Sequence, residues 1–297
     1  MTDRRFNFGA GPSTLPEPVL RRAQAALWDL GGTGIGVLEH SHRGAAFRAV
    51  LDDAEARLRR LTGASDDHAV VMVTGTASAH FHMVPMNFLP AGAVADYVHT
   101  GVWSGKAIAE ARRQGGDAAA HLAGDGSPDD FRALPEVAWS ARPAYAHYTS
   151  NNTIYGTQWP APPTPPAGVP LVCDASSDLL SRPVDVAAHD LIFAGAQKNL
   201  GAAGLTVVLV RRSLAAAHGA HLPPLLRYQT YVDSGSLYNT PATFAIYLLG
   251  EIAAWIEAEG GLPAMAARAE RARSGSTTSS ITAPASSATP RPRAARA

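Results

Sequence analysis

Apolar residues recur at intervals of three and four in two segments near the start of the chain. Residues 16–30, PEPVLRRAQAALWDL, begin with prolines and are followed by two glycines, an asymmetry that is typical of helices. Residues 45–61 place Phe47, Leu51 and Leu58 on one face, and Gly63 follows them. The pattern therefore predicts two amphipathic helices.

From residue 68 onward, short aliphatic and β-branched runs alternate with helical patterns. The runs are HAVVMVTG, AGAVADYVHTG, PAYAHYTSNNT, LVCDASSDLLS, DLIF and LTVVLVRR. The helical patterns are TASAHFHMVPMNFL, which Pro85 is expected to kink or shorten, and VWSGKAIAEARRQGG. Residues 160–170, PAPPTPPAGVP, are predicted to be a loop. Alternating strands and helices predict an α/β fold with a mainly parallel sheet covered on both faces.

Composition narrows the class of protein without defining the function. The chain has 297 residues, 46% of them hydrophobic, and a formal net charge of zero. These values suit a globular protein and give no electrostatic reason to expect nucleic acid or a membrane as a partner. The single cysteine, Cys173, excludes an internal disulfide. Because the chain shows neither a signal-peptide pattern nor an apolar run long enough to span a membrane, we expect a cytoplasmic protein.

Small, polar and aromatic residues follow the predicted strands, at the edge where parallel sheets bind ligands. They are Gly75 to Ser78, Gly101 to Trp103, Thr149 to Thr153, Asp174 to Ser177, and Gln197 with Lys198. A lysine with small neighbours at a strand end can form a Schiff base with an aldehyde cofactor such as pyridoxal phosphate. The strand ends therefore predict a cofactor site around this lysine.

The other residues at these strand ends supply what pyridoxal phosphate needs. Asp174 can pair with the ring nitrogen of the cofactor, and Trp103 can cover one face of its ring. Ala77 and Ser78 begin a helix after a glycine turn and can hold the phosphate. Thr153 can donate to the 3′-oxygen of the ring. The combination, rather than any one residue, carries the prediction.

Each of these residues also has an ordinary structural explanation. Lys198 alone suits a solvated hairpin loop, Asp174 a helix cap and Trp103 the core. Other kinds of site have less support. The segment GGTGIG at 31–36 follows a helix instead of a strand, which argues against a dinucleotide loop. His80 and His82 have no third ligand nearby, so we expect no metal. Cys173 lies within a predicted strand and is interpreted as packing.

Several motifs together resemble the phosphoserine aminotransferase family, in the class-V branch of fold-type-I pyridoxal-phosphate enzymes. They are FNFGAGPSTLPEPVL, SHRG, VPMN, ADYVHTGVWS, CDASSDLLSRPVDV, FAGAQKNLGAAGLTVVLVR and GSLYNTPATFAIYLLG, and they run in order from Phe6 to about Arg271. The resemblance implies a mainly parallel, seven-stranded sheet with helices on both faces.

The resemblance also implies a role for each matching residue. Lys198 matches the lysine that forms the Schiff base, and Gln197 beside it matches a phosphate contact. The remaining cofactor positions are Ala77, Ser78, Trp103, Thr153 and Asp174, with Asn239 and Thr240 reaching the cofactor from the other subunit of a homodimer. His42 and Arg43, in SHRG, match residues that hold the anionic end of the substrate.

The activity that the resemblance implies is amino-group transfer in serine biosynthesis. L-Glutamate and 3-phosphohydroxypyruvate would give 2-oxoglutarate and O-phospho-L-serine, with Lys198 as general base and acid. A contribution to vitamin B6 (pyridoxine) synthesis stays open.

The match to the family stops after Arg273. We expect an N-terminal segment at 1–15, a large cofactor-binding domain at 16–260, the start of a C-terminal domain at 261–273 and a disordered tail at 274–297. The family continues with a small domain that clamps the substrate, and we expect it to be missing here or altered by a reading-frame shift. The alternative function is therefore a catalytically impaired remnant that binds the cofactor.

Overall fold

The computed structural model describes residue 4 and residues 7–282, with side chains up to residue 274. The helices are α1 (Glu17–Trp28), α2 (Ala45–Thr62), α3 (Ala77–Phe88), α4 (Val102–Gly115), α5 (Arg212–Ala217), α6 (Tyr228–Asp233), α7 (Thr243–Ala258) and α8 (Gly261–Thr282). The strands are β1 (His68–Thr74), β2 (Ala95–His99), β3 (Ala120–Asp125), β4 (Ala146–Thr149), β5 (Asn151–Asn152), β6 (Thr157–Gln158), β7 (Leu171–Asp174), β8 (Leu191–Gly195) and β9 (Leu205–Arg211).

Seven of these strands form one sheet in the order β1-β9-β8-β7-β4-β2-β3. Strand β9 runs antiparallel to both of its neighbours, and the other pairs are parallel. The mainly parallel sheet predicted from the sequence is therefore confirmed. Strands β5 and β6 form a separate two-stranded hairpin that follows β4.

A hydrophobic layer covers each face of the sheet. On one face, Val19 of α1, Phe47 of α2 and Leu249 of α7 pack against strand residues that include Cys173 and Ile192. The second cluster contains Phe81, Ile108, Val172, Phe193 and Tyr228, which come from α3, α4, two strands and α6. Neighbouring residues of one strand point to opposite faces, so Val172 and Cys173 belong to different layers. The result is an α/β/α sandwich.

Glycine and proline mark the helix boundaries largely as the sequence predicts. Helix α2 ends at Gly63, whose φ of 70° suits a left-handed C-cap. Helix α3 continues past Pro85 to Phe88, and the carbonyl of Pro85 accepts a hydrogen bond from the N–H of Leu89 at 2.9 Å. The proline-rich segment 160–170 is a loop, as expected. In the described part of the chain, no helix has the length and apolar character needed to cross a membrane.

Two segments differ from the sequence-based prediction. Strand β3 was not predicted, because AHLAGD is short and alternates weakly; it forms by pairing in parallel with β2 at the sheet edge. The backbone of α8 is helical to Thr282, beyond Ser274, where the tail was predicted to begin. A helix, once begun, adds one backbone hydrogen bond per residue without needing apolar side chains. Residues 283–297 lie outside the described part.

Candidate active site

The carboxyl edge of the parallel strands surrounds a cavity of about 420 Å³. Residues from five predicted strand ends line it, together with part of the N-terminal segment. The lining residues are Ala10, Gly11, Thr76, Ala77, Ser78, Phe81, Trp103, Thr149, Asn151, Thr153, Ile154, Asp174, Ser176, Ser177, Gln197 and Lys198. The sheet order therefore brings together residues that are up to 188 positions apart in the chain, from Ala10 to Lys198.

Lys198 lies in the turn after β8 and is half-buried. Its Nζ donates a hydrogen bond to Oγ1 of Thr153 and lies 5.6 Å from the centroid of the Trp103 ring. Burial lowers the pKa of Lys198, while the negative charges of Asp174 and Asp178 act in the opposite direction. The unprotonated, nucleophilic amine is consequently available at a lower pH than for an exposed lysine.

Asp174 is the last residue of β7 and is only 4% exposed. Its Oδ1 accepts a hydrogen bond from the N–H of Ser176 at 3.0 Å. Burial raises the pKa of Asp174, and the hydrogen bonds from Ser176 and the charge of Lys198 partly offset that rise. A buried carboxylate in this position can hold a protonated ring nitrogen, because the two opposite charges compensate each other's desolvation.

Two buried polar groups of the cavity lining have no hydrogen-bond partner in the described structure. They are Nε1 of Trp103, in the first turn of α4, and Oγ1 of Thr149, at the end of β4. Buried polar groups are normally paired, so two unpaired ones in one cavity indicate a polar ligand. Nζ of Lys106 lies 4.9 Å from the centroid of the same Trp103 ring and adds positive charge beside it.

The same cavity also has the groups that a phosphate requires. Ala77 and Ser78 form the first turn of α3, whose leading N–H groups have no partners within the helix. Gln197 lines the same cavity, and the position of its side chain depends on Gly195. A Cβ at Gly195 would lie 2.7 Å from Oε1 of Gln197 and 3.3 Å from Cβ of Ala77. The glycine before the lysine turn therefore leaves room for the glutamine side chain.

Sequence reasoning missed the contribution of the N-terminal segment. Ala10 and Gly11 line the cavity, and a Cβ at Gly11 would lie 3.3 Å from Cγ of Lys198. The N–H of Ser13 donates to the carbonyl of Gln197 at 2.9 Å, which fixes the segment over the lysine turn. The motif FNFGAGPS contained the signal, but no periodicity or strand end pointed to it.

Four of the predicted site residues do not line the cavity. Asn239, Thr240 and Arg43 are exposed, and His42 is partly buried with an unpartnered Nε2. Because these four residues do not line the cavity of Lys198 in the same copy, their roles at the site remain predictions. Cys173 faces away from this cavity and lines another on the opposite side of the sheet. Burial raises the pKa of its thiol, which suits packing better than nucleophilic chemistry.

Comparisons with known proteins agree with this geometry. The family model of the class-V aminotransferases matches residues 5–281. A phosphoserine aminotransferase of Herpetosiphon aurantiacus is 47% identical over 264 residues, which are 88% of this chain and 72% of the relative. The solved phosphoserine aminotransferase of Bacillus circulans subsp. alkalophilus is 45% identical with a TM-score of 0.89, covering 94% of this chain and 77% of that one.

A pyridoxal-phosphate-bound phosphoserine aminotransferase from Trichomonas vaginalis is also similar, at 36% identity and a TM-score of 0.83, covering 89% of this chain and 74% of that one. These similarities extend over both the sheet and the strand ends that form the cavity. The chain therefore belongs to the class-V aminotransferases, in the phosphoserine aminotransferase family, whose cofactor is pyridoxal 5′-phosphate.

Proposed function

We propose that this protein transfers an amino group between L-glutamate and 3-phosphohydroxypyruvate, giving 2-oxoglutarate and O-phospho-L-serine for serine biosynthesis. The observation that carries the proposal is the placement of a half-buried Lys198 amine between the hydroxyl of Thr153 and the ring of Trp103. A buried carboxylate, Asp174, lines the same cavity. The names of the similar proteins support the choice of substrates.

The cavity fits pyridoxal phosphate in size and in chemistry. A volume of about 420 Å³ lies within the range of pockets that take small cofactors. The unpaired Trp103 Nε1 and Thr149 Oγ1 match a polar ligand. Asp174 would hold the ring nitrogen, and the helix start at Ala77 would hold the phosphate together with Ser78 and Gln197.

When bound, pyridoxal phosphate supplies an electron sink that stabilises negative charge at the substrate α-carbon. The protein residues supply position and proton transfer. Asp174 would keep a proton on the ring nitrogen, because a buried negative charge beside that nitrogen favours its protonated, cationic form. Nζ of Lys198 would hold the cofactor and, as a free amine, would take the proton from the substrate α-carbon and pass it to C4′ of the cofactor. Its lowered pKa increases the fraction of base near neutral pH.

His42 and Arg43 are proposed to bind the anionic end of the substrate. Arg43 is exposed, and a guanidinium can make two parallel hydrogen bonds to a phosphate or carboxylate. Nε2 of His42 is buried and has no partner in the described structure, so a second donor is available beside it. Both residues precede α2 and lie outside the cavity of their own copy.

A homodimer would bring these residues to a cavity. Asn239 and Thr240 are exposed and lie just before α7, as required of residues that contact the cofactor of a second copy. We propose a cytoplasmic location, which the free, buried thiol of Cys173 supports.

Visible absorption of the purified protein with added pyridoxal phosphate tests the proposal. The chain has two lysines, Lys106 and Lys198, so a change of Lys106 is the matched control for a change of Lys198. We expect a visible band that Lys198→Ala abolishes and Lys106→Arg retains, and that L-glutamate bleaches. No band in the unmodified protein would refute cofactor binding. A band that glutamate leaves unchanged would favour the alternative, a cofactor-binding protein without turnover.

A further inference from the structure

Asp178 does not line the Lys198 cavity but lines the second cavity, the one that Cys173 also lines. The residue is 5% exposed. Its Oδ1 accepts a hydrogen bond from Oγ of Ser150 at 2.5 Å. Its Oδ2 accepts from Nη2 of Arg182 at 3.0 Å and from Nε2 of Gln158 at 3.3 Å. A buried carboxylate with three hydrogen-bond donors is held rigidly, because loss of any one of these hydrogen bonds leaves the negative charge of the carboxylate less well compensated.

Two of the three donors stand at the ends of the β5–β6 hairpin. Ser150 directly precedes β5, and Gln158 is the last residue of β6. Between them lies Thr153, whose hydroxyl accepts the hydrogen bond from Lys198. Asp178 therefore binds both ends of the segment that carries Thr153.

The same network connects the hairpin to the strand of Asp174. The N–H of Ser150 donates to the carbonyl of Asp174 at 3.0 Å, and Oγ of Ser177 donates to the carbonyl of Asn151 at 2.6 Å. The hairpin itself has one short ladder of two residue pairs, which provides little rigidity on its own. The position of Thr153 thus depends on contacts from outside the hairpin, and Asp178 makes the charged ones.

We propose that Asp178 is a positioning residue for the cofactor, which acts by holding the Thr153 hairpin against the strand of Asp174. The inference rests on the proposed function, because it assumes that the cofactor lies beside Lys198. Asp178 acts through Ser150 and Gln158, which stand at the ends of the hairpin and do not line the cavity themselves, and its negative charge also favours the protonated form of Lys198.

Equilibrium dialysis with pyridoxal phosphate measures the effect as a dissociation constant. We expect Asp178→Asn to weaken binding about tenfold, as for loss of a charge-assisted hydrogen bond. The matched control is Asp190→Asn. Asp190 also pairs with an arginine, Arg211, at 2.8 Å and accepts a backbone N–H from Leu171, but it stands before β8, away from the cavity. We expect no change in the dissociation constant for this variant.

A double-mutant cycle with Thr153→Val distinguishes positioning from a general loss of stability. If Asp178 acts through Thr153, Asp178→Asn should have little further effect once the hydroxyl is absent. Additive effects, or equal effects of Asp178→Asn and Asp190→Asn, would overturn the inference. Should Asp178→Asn fail to fold, Gln158→Ala, which removes one exposed donor, must show the same non-additivity with Thr153→Val. Failure of the unmodified protein to bind the cofactor would instead refute the proposed function.

Discussion

Gly101, between β2 and α4, provides a direct test of how the walls of the cavity are held. Its φ is 143° and its ψ is −157°, a backbone conformation that L-residues rarely adopt. A Cβ at this position would lie 1.7 Å from Nδ2 of Asn152 and 2.9 Å from Cδ2 of Tyr155. Asn152 is 1% exposed, and its Nδ2 donates to the carbonyl of Thr100. Gly101→Ala must therefore displace a buried, hydrogen-bonded amide.

The magnitude has two parts that a second glycine separates. Gly75 has a similar φ of 138°, but nothing lies within 4 Å of a Cβ there. Gly75→Ala should therefore cost only the backbone strain, about 1–3 kcal/mol. Gly101→Ala carries a similar strain and also breaks the Asn152 hydrogen bond, which adds about 1–3 kcal/mol for a buried amide left without its partner.

Urea unfolding of the purified variants measures both free energies by linear extrapolation. We expect Gly101→Ala to lose about 2 kcal/mol more than Gly75→Ala, from the lost amide hydrogen bond. It should also weaken pyridoxal-phosphate binding, since Asn152 adjoins Thr153 and Gly101 precedes Trp103. Equal losses for the two variants would show that Asn152 moves aside without cost, and the steric argument would then be wrong.

Two further predictions concern pH and assembly. His147 is 1% exposed, and burial lowers its pKa to about 3. In the unfolded chain a histidine has a pKa near 6.5, so as the pH falls the unfolded state binds the proton first. The contribution of neutral His147 to the free energy of unfolding is therefore fully present above pH 6.5 and is lost as the pH falls toward 3. His147→Phe should reduce the dependence of the unfolding free energy on pH by up to about 1.4 kcal/mol per pH unit in this range, measured by urea unfolding at several pH values. The control is His221→Asn, which changes an exposed histidine. The same pH dependence in both variants would contradict the prediction. Mixed dimers of Lys198→Ala and Asn239→Ala copies should bind the cofactor more tightly than Asn239→Ala alone, because one site regains both residues; equal affinity would exclude a contribution of Asn239 across the interface.

Much of the fold could be predicted because local patterns specify it. The apolar face of α2, its glycine cap and the short aliphatic strands are properties of neighbouring residues. Strand β3 could not be predicted, because its pairing with β2 comes from the assembled sheet and not from AHLAGD itself. The helical backbone after Ser274 was missed for a related reason, since composition argued for disorder while the preceding turns of α8 allow the helix to continue.

The site was predicted in part because ligands gather at the carboxyl ends of parallel strands. That rule alone led to Lys198, Asp174, Trp103 and Thr153, all of which line one cavity. Asn239, Thr240, His42 and Arg43 came only from family resemblance. No single-chain pattern identifies them, because their proposed contacts are with a second copy.

The sequence by itself determined which residues stand at the strand ends, since strand, turn and helix signals are local. Only the tertiary structure decided which of those ends meet. The order β1-β9-β8-β7-β4-β2-β3 places Thr153 beside Lys198, lays Gly11 over the lysine side chain and puts Asp178 behind the hairpin. These contacts join segments that are distant in the chain, and packing of the whole sheet between its two helical layers selects them.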